Sequence, residues 1–464
     1  MTAGGGAPRG LATHECGLLL LWAERHAELP TAWPLPQRAL VVGRESPADL
    51  VLPVHAVSRR HAELAPRGGR WWVRDLGSTN GTLVEGRRIA EAELEDGAEL
   101  RIGDALLLFT THDVLEHARY RLDGSTAPGE RRLVADPGAL VGGLAMDRIA
   151  EDVDRVARAG LNVLVLGESG TGKEVVAGEL HRRSRRKGML SAVNCAAIPA
   201  NLLESELFGY KRGAFSGADR DKPGLIRSAH EGTLLLDEIG DMPAEAQAKL
   251  LRVIQSREVW PVGATSPERV DVRIVAATHR DLDAMMRAGS FRQDLYARLA
   301  EHTIRLPPLR ERKRDLYVLL RAFLERHGGE RLVPSFEFML GLVEYDWPYN
   351  VRELEACVKR AVALAQGPTL GRELLPPQVI DHLAGYGELA APPSRRLEPE
   401  RAPDSPAPRP VTPSREELVR LLQHHHGNVA AVGREYGKAR MQVHRWLKLH
   451  GLEADSFRAP GGDG

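Results

Sequence analysis

Two groups of residues in the middle of this 464-residue sequence could do chemistry on a phosphate. Gly167, Glu168, Ser169, Gly170, Thr171, Gly172, Lys173 and Glu174 are consecutive, follow the apolar run Asn162–Leu166, and open a helical pattern from Val175 to Leu180. Glycines at a strand-to-helix turn let backbone N–H groups curl around phosphate oxygens, and Lys173 supplies charge to the β- and γ-phosphates. Glu174 stands where Ser or Thr would ordinarily hold Mg²⁺, so the loop alone leaves a glycine-rich turn as the alternative. The second group is Asp237 and Glu238, which end the apolar run Thr233–Leu236. Carboxylates at the C-terminal end of a buried strand sit where open α/β sheets bind ligands. Asp237 can organise an Mg²⁺ shell, and Glu238 can polarise an attacking water. ATP and Mg²⁺ are the expected ligands.

These groups need elements to hold them, and the chain has room for about three domains at roughly 150 residues each. Lys plus Arg and Asp plus Glu both number 63, so no global basic field exists and any DNA binding must come from a local patch. The apolar run Leu18–Trp22 is too short to span a bilayer or to form a signal-peptide core. Three scattered cysteines, Cys16, Cys195 and Cys357, show neither metal-ligand spacing nor a disulfide framework, and a reducing cytoplasm is the expected home. Residues 140–385 alternate helical patterns with buried-strand runs, as in a parallel α/β sheet. Residues 14–115 carry short β-type runs separated by Gly, Pro and Asn-Gly turns, which argues a β-sandwich. Residues 116–139 read as a linker, and 386–413 as a second, semi-rigid one, since 391–413 hold eight of the 30 prolines. Residues 414–458 hold three short helical segments. The expected fold is therefore multidomain: an all-β sandwich, an α/β P-loop domain with a helical lid, and an all-α tail.

The middle region resembles the AAA+ domain of sigma-54-dependent (bacterial enhancer-binding) regulators over about 240 residues. Gly167–Glu174 with its final glutamate matches that family's own variant, and Ala192-Val-Asn-Cys-Ala-Ala197 matches too. The resemblance implies that Asn194 holds the catalytic Glu238 until the γ-phosphate is sensed. Gly213, Ala214, Phe215, Ser216, Gly217 and Ala218 resemble the family's GAFTGA loop, with Ser216 for threonine. That implies contact with sigma-54 RNA polymerase holoenzyme. An exposed Phe among small residues is itself unfavourable unless it meets a partner. Arg292 and Arg298 fall at arginine-finger positions, where a neighbouring subunit's guanidinium offsets charge on the γ-phosphate, worth about 10³ to 10⁵ in rate. A shared site needs oligomers, and the resemblance implies a homo-oligomeric ring, a hexamer. Trp347-Pro-Tyr-Asn-Val-Arg-Glu-Leu354 resembles the family's sensor helix, with Tyr349 in place of a glycine, which implies that Arg352 faces the nucleotide. Ala276-Ala-Thr-His-Arg-Asp-Leu282 keeps the Thr278 hydroxyl, but His279 stands where asparagine is usual. A histidine can carry charge near neutral pH, so turnover should depend on pH.

Residues 14–115 resemble the forkhead-associated (FHA) domain through Gly43-Arg-Glu45, Ser58-Arg-Arg-His61 and Gly77-Ser-Thr-Asn-Gly-Thr82. A phosphate ester needs a guanidinium for bidentate pairing, with hydroxyl or amide donors around it. The resemblance assigns phosphothreonine binding to Arg44, Ser58, Arg59, Thr79 and Asn80, and an internal bracing role to His61. The ligand is a phosphothreonine protein or a phosphorylated segment of the chain itself, with Thr126 and Thr412 as candidates. The tail resembles a Fis-type helix-turn-helix. Five basic residues, Arg434, Lys438, Arg440, Arg445 and Lys448, stand against Glu435 alone. Ser414 begins a capping box with Glu417, Asn428 caps a second helix ending at Gly437, and a third runs from about Lys438 to His450. With Val443, Trp446 and Leu447 facing inward, Lys438, Arg440, Gln442, His444 and Arg445 are free to reach DNA. A small oligomerisation bundle is the alternative for this tail.

The expected whole is a transcription activator bound upstream of a promoter, which hydrolyses ATP to remodel the sigma-54 polymerase and is gated by phosphothreonine. The Ser216, His279 and Tyr349 departures motivate a second reading, a phosphopeptide-regulated DNA-binding repressor with weak or no ATPase, and a AAA+ remodeller of another protein is a third.

Overall fold

Short apolar runs at the start of the chain pair into two packed β-sheets. One has the strand order Ala32–Pro34, Gly17–Ala23, Ala105–Thr110, Glu99–Ile102, Thr82–Val84, Arg87–Ile89. The other runs Leu50–Val51, Leu40–Gly43, Ala62–Arg67, Arg70–Asp75, Glu91–Leu94. The run Leu18–Trp22, too short for a membrane, is a central strand in which all residues are buried. The computed structural model describes residues 16–387, except 25, 134, 135, 137, 216 and 217, and residues 413–457, except 426, 427, 437–439 and 453. Thr412 and most of the proline-rich stretch lie outside the described residues. The chain divides into two compact units, Met1–Leu389 and Ala390–Gly464.

Within the first unit a five-stranded parallel sheet follows the sandwich. Its order is Leu190–Asn194, Thr233–Asp237, Arg273–Thr278, Val163–Leu166, His302–Arg305. Near-continuous apolar strands such as Val163–Leu166 are what burial on both faces requires. The first strand in sequence lies inside the sheet, beside the last but one, so the order reverses next to the loop that follows Leu166. That is where an open α/β sheet binds ligands. Helices Leu316–Arg326, Phe336–Glu344, Asn350–Leu364 and Pro377–His382 form a lid.

The sandwich and the lid share one hydrophobic core. Trp22, Leu100 and Leu107 from the first join Leu320, Phe338 and Leu342 from the second in a single cluster. Trp22 meets the Phe336 ring at 6.0 Å, and Arg101 lies over the same ring at 4.5 Å. Residues 116–139, expected to be a linker, are not a free spacer. Tyr120 is 2% exposed, accepts a hydrogen bond from Thr31 on its carbonyl, and donates its hydroxyl to Asp147 at 2.9 Å. Arg132 pairs with the same fully buried Asp147 and donates to the Gly142 carbonyl at 3.1 Å. A paired guanidinium offsets the cost of burying that carboxylate. Thr126 bridges to Tyr120 in this strap and is half-buried.

The second unit holds helices Arg415–His424, Val429–Tyr436 and Arg440–Leu449 around Leu418, Leu422, Val432, Val443, Trp446 and Leu447. The Ser414 hydroxyl accepts from the Glu417 N–H at 3.2 Å, and Asn428 accepts from the Ala431 N–H at 3.2 Å. Each cap satisfies an N–H that the first helical turn leaves without an intrahelical partner.

Where the sandwich meets the lid, Lys313 lies against Glu99, with Glu85 and Glu344 close by. Burial, and then the charge of Glu99, push the Glu85 carboxyl up to about 7. An acid whose folded-state pKa is raised adds stability below its unfolded value, and that contribution fades as pH rises through the folded value. Glu85→Gln is therefore expected to raise the melting temperature by a few degrees at pH 8 and to leave it unchanged at pH 5, as read by calorimetry.

Candidate functional site

The loop 167–174 joins the strand Val163–Leu166 to the helix Lys173–Ser184. Gly170 and Gly172 have φ of 78° and 106°, which an L side chain rarely adopts. A Cβ on Gly170 would also come within 2.1 Å of the Tyr349 carbonyl. Lys173 is 7% exposed, and its ammonium donates to the carbonyls of Gly167 and Glu168 at 3.0 and 3.2 Å. It lies 3.6 Å from Glu238. The loop and the ends of the neighbouring strands thus come together.

Glu238 takes φ of 50° just beyond the strand Thr233–Asp237. Its Oε2 accepts from His279 Nδ1 at 2.8 Å, from the His279 backbone N–H at 3.3 Å and from the Thr278 hydroxyl at 3.3 Å. Burial pushes its carboxyl up, but Lys173 and His279 outweigh burial and hold it below the usual range. Asp237 moves the other way: burial and its neighbour Glu238 raise it, against Lys173. Two adjacent carboxylates facing one lysine leave negative charge that a hard cation would neutralise, and their oxygens suit Mg²⁺. Among the described residues no cluster of three or more His, Cys, Asp or Glu could hold a metal alone. Asp237 together with phosphate oxygens is the site that fits.

One pairing differs from expectation. The Asn194 amide donates to Asp237 at 3.1 Å and not to Glu238, while its own carbonyl caps Ala196 and Ala197. Register explains this: Asn194 and Asp237 are directly paired on adjacent parallel strands, whereas Glu238 has turned out of the sheet. The group that holds Glu238 is His279. Cys195, next to Asn194, is buried, and its thiol is pushed up to about 12.

The lid closes on the loop from the other side. Arg352 donates to the Ser169 hydroxyl at 3.2 Å. Tyr349 has φ of −104°, open to any residue, and its 63% exposed side chain points away from the core. Asn350 takes the left-handed conformation instead, with φ of 54°. Fully buried, it accepts from Leu309 N–H and donates to Glu168 and to the Ser169 carbonyl. Arg310 forms a two-pronged ion pair with Glu168. Neither Asn350 nor Arg310 stood out in the sequence. Their signal was, for Asn350, a place two residues before Arg352 and, for Arg310, a basic run.

Other predicted residues lie elsewhere. Arg292 stands just before the helix Gln293–Leu299 and pairs with Asp294 at 2.7 Å, and Arg298 sits exposed in the last turn. Phe215 is 44% exposed and meets Tyr210 edge-on at 4.9 Å. Gly213 and Ala218 close the base of its loop by a 2.8 Å hydrogen bond, with Ala214 between, while Ser216 and Gly217 lie outside the described residues.

In the sandwich, Ser58, Thr79 and Asn80 converge. Thr79 N–H donates to the Ser58 hydroxyl at 3.1 Å, and Asn80 donates to the Ala56 carbonyl at 2.7 Å. Arg44 N–H donates to the Ser58 carbonyl, and Arg59 is exposed beside them. Gly43 is required here, since a Cβ would meet the Arg59 carbonyl at 2.0 Å. His61 is fully buried, accepts from Ser58 N–H at 3.1 Å and donates to the Gly81 carbonyl at 3.1 Å, tying two of the loops together. Asp75, unremarked in the sequence, gathers Gly77, Ser78 and Thr82 around its carboxylate. In the tail, His444 and Arg445 are exposed on the helix Arg440–Leu449, opposite Val443, Trp446 and Leu447. Lys438 lies outside the described residues, as do the side chains of Arg440 and Gln442.

The fold and sites define an FHA domain joined to a AAA+ domain and its lid. The chain matches the Sigma-54 interaction domain over residues 141–305, the FHA domain over 40–103, and the AAA+ ATPase lid domain over 310–389. The hydrogenase transcriptional regulatory protein HoxA of Cupriavidus necator is 36% identical over 434 residues, 92% of this chain and 86% of HoxA. The regulatory protein AtoC of Escherichia coli is 46% identical over 254 residues, 54% of this chain, and the match spans only 55% of AtoC. The structure of NtrX from Brucella abortus in complex with ATP is 31% identical, with a TM-score of 0.49 over 68% of this chain and 70% of that one. The chain belongs to the family of sigma-54-dependent transcriptional regulators.

His279 on Glu238 makes a kinetic prediction. Freeing Oε2 from the imidazole leaves Glu238 open to the attacking water, so His279→Asn is expected to raise ATP turnover severalfold at a fixed pH. Turnover in His279→Asn equal to that of wild type contradicts this.

Proposed function

We propose that this protein activates transcription from sigma-54 promoters by hydrolysing ATP in a homo-oligomeric ring, gated by phosphothreonine on its FHA domain. The observation that carries this reading is Phe215, a half-exposed aromatic on a glycine-closed loop of the domain that holds the phosphate cradle. Within the cradle, loop N–H groups and Lys173 bind the triphosphate. Asp237 would hold Mg²⁺, which supplies charge neutralisation between the phosphates when bound. Glu238, kept ionised by Lys173 and His279, accepts the proton of the attacking water. Arg292 and Arg298 are the groups assigned to a neighbouring subunit's γ-phosphate, which is why a ring is required. His444 and Arg445, with Lys438, Arg440 and Gln442, belong to a helix-turn-helix that contacts upstream DNA. Arg44, Ser58, Arg59, Thr79 and Asn80 receive the phosphothreonine. No helix among the described residues is long and apolar enough to cross a membrane, and the reading places the protein in the cytoplasm with polymerase.

A DNA-binding repressor with weak ATPase is the second reading, favoured by the imidazole that occupies Glu238. Transcription and turnover separate the two. Phe215→Ala should abolish activation of a sigma-54 promoter while leaving ATP turnover within about twofold, since the loop stands outside the cradle. Arg292→Ala is expected to slow turnover about 10³-fold. Arg44→Ala should break the response to phosphothreonine alone. Wild-type protein that represses and turns over no ATP overturns the activator reading.

A further inference from the structure

The FHA sheet reaches the nucleotide cradle through one short stretch of chain. Leu309–Asp315 forms two single-turn 3₁₀ helices, Leu309–Glu311 and Lys313–Asp315, between the last strand of the parallel sheet and the lid. Its side chains alternate in direction. Lys313 points to the sandwich, where its ammonium meets Glu99 and donates to the Val343 carbonyl at 2.7 Å. Arg310 points to the cradle and pairs with Glu168. Arg312, only 4% exposed along its side chain, donates to the Thr171 carbonyl at 3.4 Å and pairs with Asp315. Asp315 in turn accepts from Gly143 N–H at 2.8 Å, and Leu309 N–H donates to Asn350, which also holds Glu168.

We propose that this segment is a positioning relay: Glu99 of the FHA sheet, through Lys313, fixes the register of Arg310 and Arg312 and hence the shape of the loop that takes the nucleotide's phosphates. Contiguous packed groups carry such coupling, and Leu309, Arg312, Lys313 and Asp315 are buried, with Glu311 and the Arg310–Glu168 pair opening to solvent. The Lys313 post is also poised. One ammonium faces Glu99, Glu85 and Glu344; burial and then Glu99 hold the Glu344 carboxyl well above its ordinary value. Glu344 also meets the Glu99 carboxylate. A seating that crowds three carboxylates around one ammonium is sensitive to small displacements of the FHA sheet, which suits a domain that answers to a ligand elsewhere on its surface.

The relay rests on the reading of residues 167–174 as a nucleotide site, and its test separates the two. Full-length protein is titrated with a fluorescent ADP analogue while its melting temperature is recorded. Wild type should saturate and Lys173→Ala should not; if wild type binds no nucleotide, the site itself falls, and the relay with it. Given a working site, Glu99→Gln is expected to weaken binding about tenfold in folded protein, and Lys313→Arg to bind within about twofold of wild type. Arg310→Met should weaken binding as well, and the Glu99→Gln/Arg310→Met double variant should lose less than the sum of the two effects, since one relay is cut twice. A merely structural contact would lower the melting temperature and leave the affinity of the folded protein alone. Wild-type affinity in Glu99→Gln, or full additivity in the double variant, overturns the relay.

Discussion

Too few ammonium groups for the carboxylates around them is the constraint on which this molecule turns. At the strand ends Lys173 alone faces Asp237 and Glu238, and burial strengthens every charge there. The outcome is an unequal division: Glu238, with Lys173 and His279 on it, stays ionised, while Asp237 is driven up by burial and by its neighbour. That division suits a base beside a cation ligand, and residual negative charge leaves room for a metal. The same arithmetic recurs at Lys313, which faces Glu85, Glu99 and Glu344 where the sandwich meets the lid. There burial and the neighbouring charge raise the Glu85 and Glu344 carboxyls.

Between these two lysines lies a rigid frame. Glu168 is held from the lid by Arg310 and Asn350, and the Gly170 carbonyl accepts N–H groups from Val351 and Arg352. A loop that must curl around phosphates gains from being shaped before the ligand arrives, because the ordering cost is met in folding. The exposed aromatic stands apart from it on the Phe215 loop, whose base is closed by Gly213 and Ala218. Rigid cradle and exposed aromatic finger therefore sit on one domain, and the FHA sheet is seated on the lid that frames it.

Much of this was legible because it is local. A phosphate loop is one contiguous string, and the three FHA loops carry their own glycines and hydroxyls, so Gly167–Glu174 and Gly43, Ser58 and Asn80 could be read directly. What the sequence hid depends on distant pairing. Glu99 and Lys313 are 214 residues apart, and a lysine inside Arg310–Arg314 looks like a solvated face. The 116–139 stretch reads as polar spacer, although Tyr120 and Leu122 are buried; the hint was Asp147, a charge on the inward face of the helix Leu144–Ala159. Leu18–Trp22, too short for a membrane span or a signal-peptide core, is a core strand whose partners lie far off in sequence. Which of Asn194 and His279 holds Glu238 is a matter of strand register and a left-handed residue, neither of which residue identity reveals.

The central claim is that the state of the terminal phosphoryl group sets the Phe215 loop against sigma-54. Its most direct test is co-elution of full-length protein with purified sigma-54 in the presence of ADP and aluminium fluoride, a mimic of the hydrolysis transition state, or of ADP alone. The account predicts a stable complex with the mimic and none with ADP. Equal binding in both states, or in neither, would contradict it.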